Sequence, residues 1–256
     1  FLVDDLEINR MEIKLDDLIS LARLFQNSPQ LSILKKVTKG GFITANIKLN
    51  FDEVGNIKEN YKIVGFAENL KFNFFNQYKV HNFNFNFDIT KNSYSFKKID
   101  TEINKINLSS PLIEVKKDKN LLFAKGQILN DTKKVNEKEL GLLLAIFFKD
   151  INFKKIKYSS INNFSFNINK KLKLNDLEVE TTLALKELIF DSRNLKLKPY
   201  FNNLNEEMKL ENHKIIINYK KNTFNISGNG NILFDDKSDN LSYRIIKKKN
   251  ELSFDS

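Results

Sequence analysis

The chain has 256 residues, 41% of them hydrophobic and 29% charged, and carries a net charge of +10. Such a composition is globular, with length enough for one large all-β domain or two ordinary ones, and it excludes an intrinsically disordered polymer. The absence of cysteine and the presence of only two histidines, His81 and His213, exclude disulfides, thiolate nucleophiles and Cys/His zinc sites.

The lysines are spread along the chain and mixed with acids, the pattern of a solvated surface rather than of a nucleic-acid patch. The longest apolar run, Leu140 to Phe148, is nine residues, well short of the ~20 that a membrane-crossing helix needs. The chain opens on Phe1 and reads as a segment of a longer protein, so any signal peptide or membrane anchor is expected outside it.

In chain order, Phe1 to Ile8 predicts a short strand. Leu15 to Phe25 changes period: Leu15, Leu18, Ile19, Ala22 and Phe25 share one helical face, with Asp16 and Asp17 in the first turn. Ser28 and Pro29 then suit the N-cap and first position of a second short helix, with Leu31, Leu34 and Val37 inward. Its end is expected at Gly40-Gly41, behind Lys35, Lys36 and Lys39. The second helix is too short for a DNA-reading helix-turn-helix and lacks an Arg/Asn/Gln face.

From Gly41 the period is two. Ile43, Ala45, Ile47, Leu49 and Phe51 alternate with polar residues, and a turn over Asp52 to Asn56 leads to a strand with Ile57, Tyr61 and Ile63. Leu70, Phe72 and Phe74 follow, with a turn near Asn76. The clearest strand of the chain is next: Phe83, Phe85, Phe87 and Ile89, with His81 on the same parity, alternate with Asn82, Asn84, Asn86 and Asp88. Further strands are expected at Tyr94–Phe96, Ile103–Leu108, Leu112–Val115 and Leu121–Ile128.

Asn136 to Phe148, with Asn136 and Glu139 as a capping box, predicts a third helix, apolar nearly all round and covering one end of a sheet. Strands resume at Ile151–Tyr158, at Phe164, Phe166 and Ile168, at Leu172–Val179, at Leu183–Leu185 and at Leu188–Phe190. After the polar break Asn202–Glu207 come strands through Ile217, Ile226, Ile232, Tyr243 and Phe254. The expected organisation is therefore a helix-containing segment 1–201 continued by 202–256. The fold class is mainly β: a long curved antiparallel meander, or groove, with two helices near the start and one near the middle.

Roughly fifteen strands at ~4.8 Å spacing present far more apolar face than three short helices can cover. The face is left to close on itself as a sandwich, or to stay a trough filled by something apolar. An outer-membrane barrel is disfavoured, because phenylalanine is spread through the strands instead of forming girdles.

The phrase Lys39-Gly40-Gly41-Phe42-Ile43-Thr44-Ala45, its hairpin through Asp52 to Gly55 and the return Tyr61-Lys62-Ile63-Val64-Gly65 resemble repeats of the AsmA-like superfamily, most closely its large YhdP and TamB types from Gram-negative bacteria. The Gly-x-Gly phrase Phe224 to Ile232, followed by Asp239 to Tyr243, is similar to theirs too. The resemblance implies a β-sheet groove in the periplasm, tethered to the inner membrane by a segment outside this chain, that carries phospholipid between inner and outer membranes.

Acyl chains suit such a surface, since each buried methylene contributes ~0.8 kcal/mol without any specific polar contact. Ile43, Ile47, Leu49, Phe51, Phe83, Phe85, Phe87, Ile89, Phe164, Phe166 and Ile168 are the expected lining. No cofactor, metal or nucleic-acid partner is expected. The alternative is a structural or adhesive β-sandwich that binds a protein. Catalysis is disfavoured: Glu178 with Glu180, or Glu206 with Glu207, are the only nominees for a carboxylate pair, and adjacent strand residues point apart.

Overall fold

A strand with one apolar face can bury it only beside neighbours patterned the same way, and here neighbours in space are neighbours in sequence. In a computed structural model, which describes residues 5–25, 29–74, 78–119, 121–136, 153–169, 173–191, 207–234, 237–248 and 251–255, thirteen strands run in sequence order through one sheet. The order has no crossover, unlike the Greek-key connections of a sandwich. The fold is thus a mainly β antiparallel meander with two short helices. It divides into two compact units: Phe1–Ile128 with Ser165–Asn175, and Leu129–Phe164 with Asp176–Ser256.

The first unit holds β1 (Asp5–Lys14), α1 (Leu15–Phe25), α2 (Pro29–Val37), β2 (Thr38–Asn50), β3 (Lys62–Phe74), β4 (Tyr78–Ile89), β5 (Ser93–Ile103) and β6 (Ile106–Asp118). The chain then passes through β7 (Leu121–Asn136), β8 (Phe153–Asn169) and β9 (Leu174–Asp191). β10 (Glu207–Lys220), β11 (Thr223–Phe234), β12 (Lys237–Lys248) and β13 (Glu251–Asp255) complete the second unit. The predicted third helix lies, after Asn136, outside the described residues, as does the polar break up to residue 206. Asn136 itself ends β7.

Both N-terminal helices form where their periodicity places them. α1 carries Asp16 and Asp17 in its first turn and Arg23 in its last, each complementing the helix dipole. α2 begins on Pro29 but stops at Val37, short of the predicted Gly40-Gly41. Its last turn is closed when the Thr38 hydroxyl donates to the Leu34 carbonyl at 2.7 Å. The two glycines instead lead β2 into the sheet with φ of 138° and 117°. Gly41 lies so close to β3 that an added Cβ would stand 2.6 Å from the Leu70 Cα.

The strands are longer and fewer than their periodicity predicts, and one kind of backbone kink recurs within them. Arg10, Asn69, Asn82, Lys98 and Asn212 sit inside strands with φ near +50°, a conformation uncommon outside glycine. Each inserts one extra residue, so that Ile8 and Met11, Ala67 and Leu70, Val80 and Phe83, Phe96 and Ile99, Leu210 and His213 face the same way, as β-bulges require.

Read as strict alternation, a bulged strand looks like two strands or like an early stop. β1 therefore runs to Lys14 rather than Ile8. The predicted pieces 57–63 and 70–74 give way to the single β3 from Lys62. Four further predicted breaks vanish into β8, β9 and β11, which run on as continuous strands. The reverse error occurs at Ile103–Leu108, where Asn104 and Lys105, at φ 48° and 70°, turn the chain between β5 and β6. Positive φ at both central residues is the type I′ hairpin requirement, met here without glycine.

Candidate functional site

The register of the first unit assembles the apolar face row by row. Ile8, Ile47, Ile63, Ile89, Tyr94 and Val115 stand opposite one another across six strands. The adjacent row is Met11, Ala45, Gly65, Phe87, Phe96 and Ile113. A further row pairs Leu6 with Leu49.

The helices lie on the opposite end of this face. Leu15 and Ile19 of α1 bury themselves against Ala67 and Leu70, with Leu34, Ile43, Phe72, Phe83 and Phe85 around them. A chain of rings links the two ends: Phe83 to Phe85 at 4.9 Å, Phe85 to Phe87 at 6.2 Å and Phe85 to Phe96 at 5.6 Å. Phe87 is buried because its ring lies over Gly65, where an added Cβ would come within 2.7 Å of its Cζ.

Six strands of 10–13 residues make a face ~29 Å by ~40 Å, whereas α1 and α2 are ~16 and ~14 Å long and ~10 Å across. They cover about a quarter of it. The row from Ile8 to Val115 is half-buried throughout, and Leu6 keeps 41% of its surface exposed.

The expected lining residues thus fall into groups. Ile43, Phe83 and Phe85 pack under the helices, and Phe87 caps Gly65. Ile47, Leu49 and Ile89 belong to the half-buried rows, and Phe51 forms an isolated bridge with Ile57. Phe164 lies in the second unit, while Phe166 and Ile168 lie in the first. His81 does not share a face with Phe83: the bulge at Asn82 turns it to the polar side, opposite Glu102.

The second unit repeats the device with different parts. Phe190, Met208 and Ile232 form a core with Leu188, Leu210 and Leu241. Beside it His213 stands inside β10 with 2% of its surface exposed. Its Nε2 lies 2.9 Å from the Asn231 carbonyl and therefore carries the proton, which leaves Nδ1 buried without a hydrogen-bond partner. Gly230 admits this ring, and Gly228 admits that of Tyr243, whose centroid is 6.0 Å from that of His213. Burial pushes the Tyr243 hydroxyl above the ordinary phenol pKa. The Gly-x-Gly phrase read in the sequence is thus a pair of notches for rings from β10 and β12.

The polar face carries paired charge. Lys155 and Lys209 reach Glu187 at 2.5 and 3.7 Å, and Lys209 also reaches Glu211 at 2.5 Å. The hydrogen bond from Lys155 holds the Glu187 carboxyl below its usual range. Of the carboxylates nominated for catalysis, Glu178 pairs with Lys220 at 2.8 Å and Glu207 with Lys154. Among the described residues no His/Asp/Glu group is arranged to hold a metal ion, and no helix is long and apolar enough to cross a membrane.

No protein-family model, no curated protein and no solved structure matches this chain. The likeness to AsmA-like proteins rests on the sequence phrases alone.

Proposed function

We propose that the apolar face of the sheet binds lipid acyl chains, and that the chain is a lipid-binding segment of a periplasmic protein carrying phospholipid between the inner and outer membranes. The observation that carries this reading is the half-buried row Ile8, Ile47, Ile63, Ile89, Tyr94 and Val115, which lies beyond the reach of the two helices. Burying Leu, Ile or Val fully is worth about 1.5–3 kcal/mol a side chain, so a hydrocarbon guest laid along this row gains several such contributions. Nothing in the reading requires a catalytic group. The AsmA-like resemblance points to the same use, with the membranes reached through parts outside this segment.

The test is organic extraction of protein purified without detergent, followed by mass spectrometry of the extract. Phospholipid at a fixed ratio to protein is expected, and Ile47→Glu and Ile89→Glu together should abolish it while leaving the fold intact by circular dichroism. Lipid-free protein that also fails to take up a fluorescent fatty acid would overturn the reading and leave the adhesive, protein-binding module in its place.

A further inference from the structure

The polar face of the first unit holds a depression of about 810 Å³, within the range of small-molecule clefts. Its composition is unlike that of the face around it. Phe66 stands there with 40% of its surface exposed, on the side that the alternation reserves for polar residues. Thr44 and Asn86 are its cross-strand partners in β2 and β4. Asn46, Asp88 and Lys97 complete the near wall. Phe42, diagonal to Phe66 on the same face, is exposed to 41%.

We infer that this depression binds a carbohydrate chain, with Phe66 as the stacking platform. A sugar ring has an apolar face of C–H groups and a rim of hydroxyls, each both donor and acceptor. An exposed aromatic ring matches the first. Amide and hydroxyl side chains, which also donate and accept, match the second. Asn46 already accepts the Arg10 backbone N–H through Oδ1 at 2.7 Å, which fixes its amide and leaves the Nδ2 side to donate.

The charges argue against the competing classes of ligand. Arg10 and Lys97 are balanced by Glu12 and Asp88, so the depression has no net charge to draw in a polyanion such as a nucleic acid. Its volume and its lining, drawn mostly from β2, β3 and β4, suit a short chain of rings lying across the three strands. The inference is independent of the lipid reading, because Phe66 and Ile47 project from opposite faces of the sheet. Both ligands can bind at once.

The experiment is an NMR titration of the whole chain, labelled with nitrogen-15, with maltotriose, cellotriose and chitotriose at millimolar concentrations. At least one is expected to shift the amides of Thr44, Asn46, Phe66 and Asn86 while leaving those of β10–β12 unmoved. Phe66→Ala should weaken that binding at least tenfold, Phe66→Tyr should keep it, and Asn86→Ala should weaken it less than Phe66→Ala. Lipid content should be unchanged in all three variants. No response to any of the three sugars, a response spread evenly over the sheet, or equal binding by Phe66→Ala would each overturn the proposal.

Discussion

The two units bury the same kind of face by different means. In the first, beside a single notch at Gly65 that takes the Phe87 ring, a helix delivers Leu15 and Ile19 onto Ala67 and Leu70. In the second, the described core is made by the sheet itself, with rings of His213 and Tyr243 lowered into notches at Gly230 and Gly228. A helix supplies large aliphatic side chains from outside the sheet. A glycine lets the sheet bury its own aromatics, at the cost of two positions without side chains of their own. The first device leaves the rest of its face half-buried, which is where a guest is proposed to lie.

The glycines give the sharpest way to break the comparison. At Gly65 an added Cβ would meet the Thr44 carbonyl oxygen and stand 2.9 Å from the Ala45 Cα, and neither backbone atom can move without parting β2 from β3. Gly65→Ala should lower stability by about 4 kcal/mol in denaturant titration, beyond the usual range for overpacking. At Gly228 the nearest atoms all belong to the Tyr243 ring, which can swing away. Gly228→Ala should cost about 1–2 kcal/mol, and adding Tyr243→Ala should recover part of that loss. Equal costs at the two sites would mean that both notches serve the backbone.

The helix contact is next in size. Ile19 is buried against Ala67 and Leu70, so Ile19→Ala should cost about 3 kcal/mol. Hydrogen exchange should localise the loss: protection falls in β2–β4 and holds in β10–β12. A uniform fall would show that the two units unfold as one.

A smaller effect tests the bulges. The N–H of Asn69 has no ladder partner and donates instead to Asn84 Oδ1 at 2.8 Å, as that of Arg10 does to Asn46. Asn84→Ala should cost about 1 kcal/mol. The bulge then keeps its shape but loses its satisfied donor. Asn84→Asp, which retains the acceptor, should cost less.

These bulges also decide how much was legible in the sequence. Alternation located the strand faces wherever it ran unbroken, as from Phe83 to Ile89 or Ile43 to Leu49, the 3.6 period located α1, and the Ser28-Pro29 start signature located the start of α2. It failed wherever a residue such as Arg10, Asn69 or Lys98 entered the left-handed region, because nothing in a lysine or arginine announces that conformation. His81 was placed on the wrong face by a single residue, Asn82. His213 was missed as a core residue because its burial depends on Gly230, which is seventeen residues away in sequence and cross-strand in space. The signal was present in the Gly-x-Gly phrase, but only the register says which rings fill it.

The last test concerns the phenol in the second unit's notch. Burial raises the pKa of Tyr243 above the 10.0 of an ordinary phenol, and that of Tyr158 likewise. The raised value means that the folded chain favours the neutral phenol more strongly than the unfolded chain does. This stabilisation is complete below the unfolded pKa near 10 and is lost as pH rises from there through the folded pKa. Stability should therefore fall above about pH 10. Tyr243→Phe keeps the ring over Gly228 but has no proton to lose, so its fall over the same interval should be shallower, with little difference at neutral pH. Parallel curves for the two proteins would place the hydroxyl in solvent, and the notch would then hold only the edge of the ring.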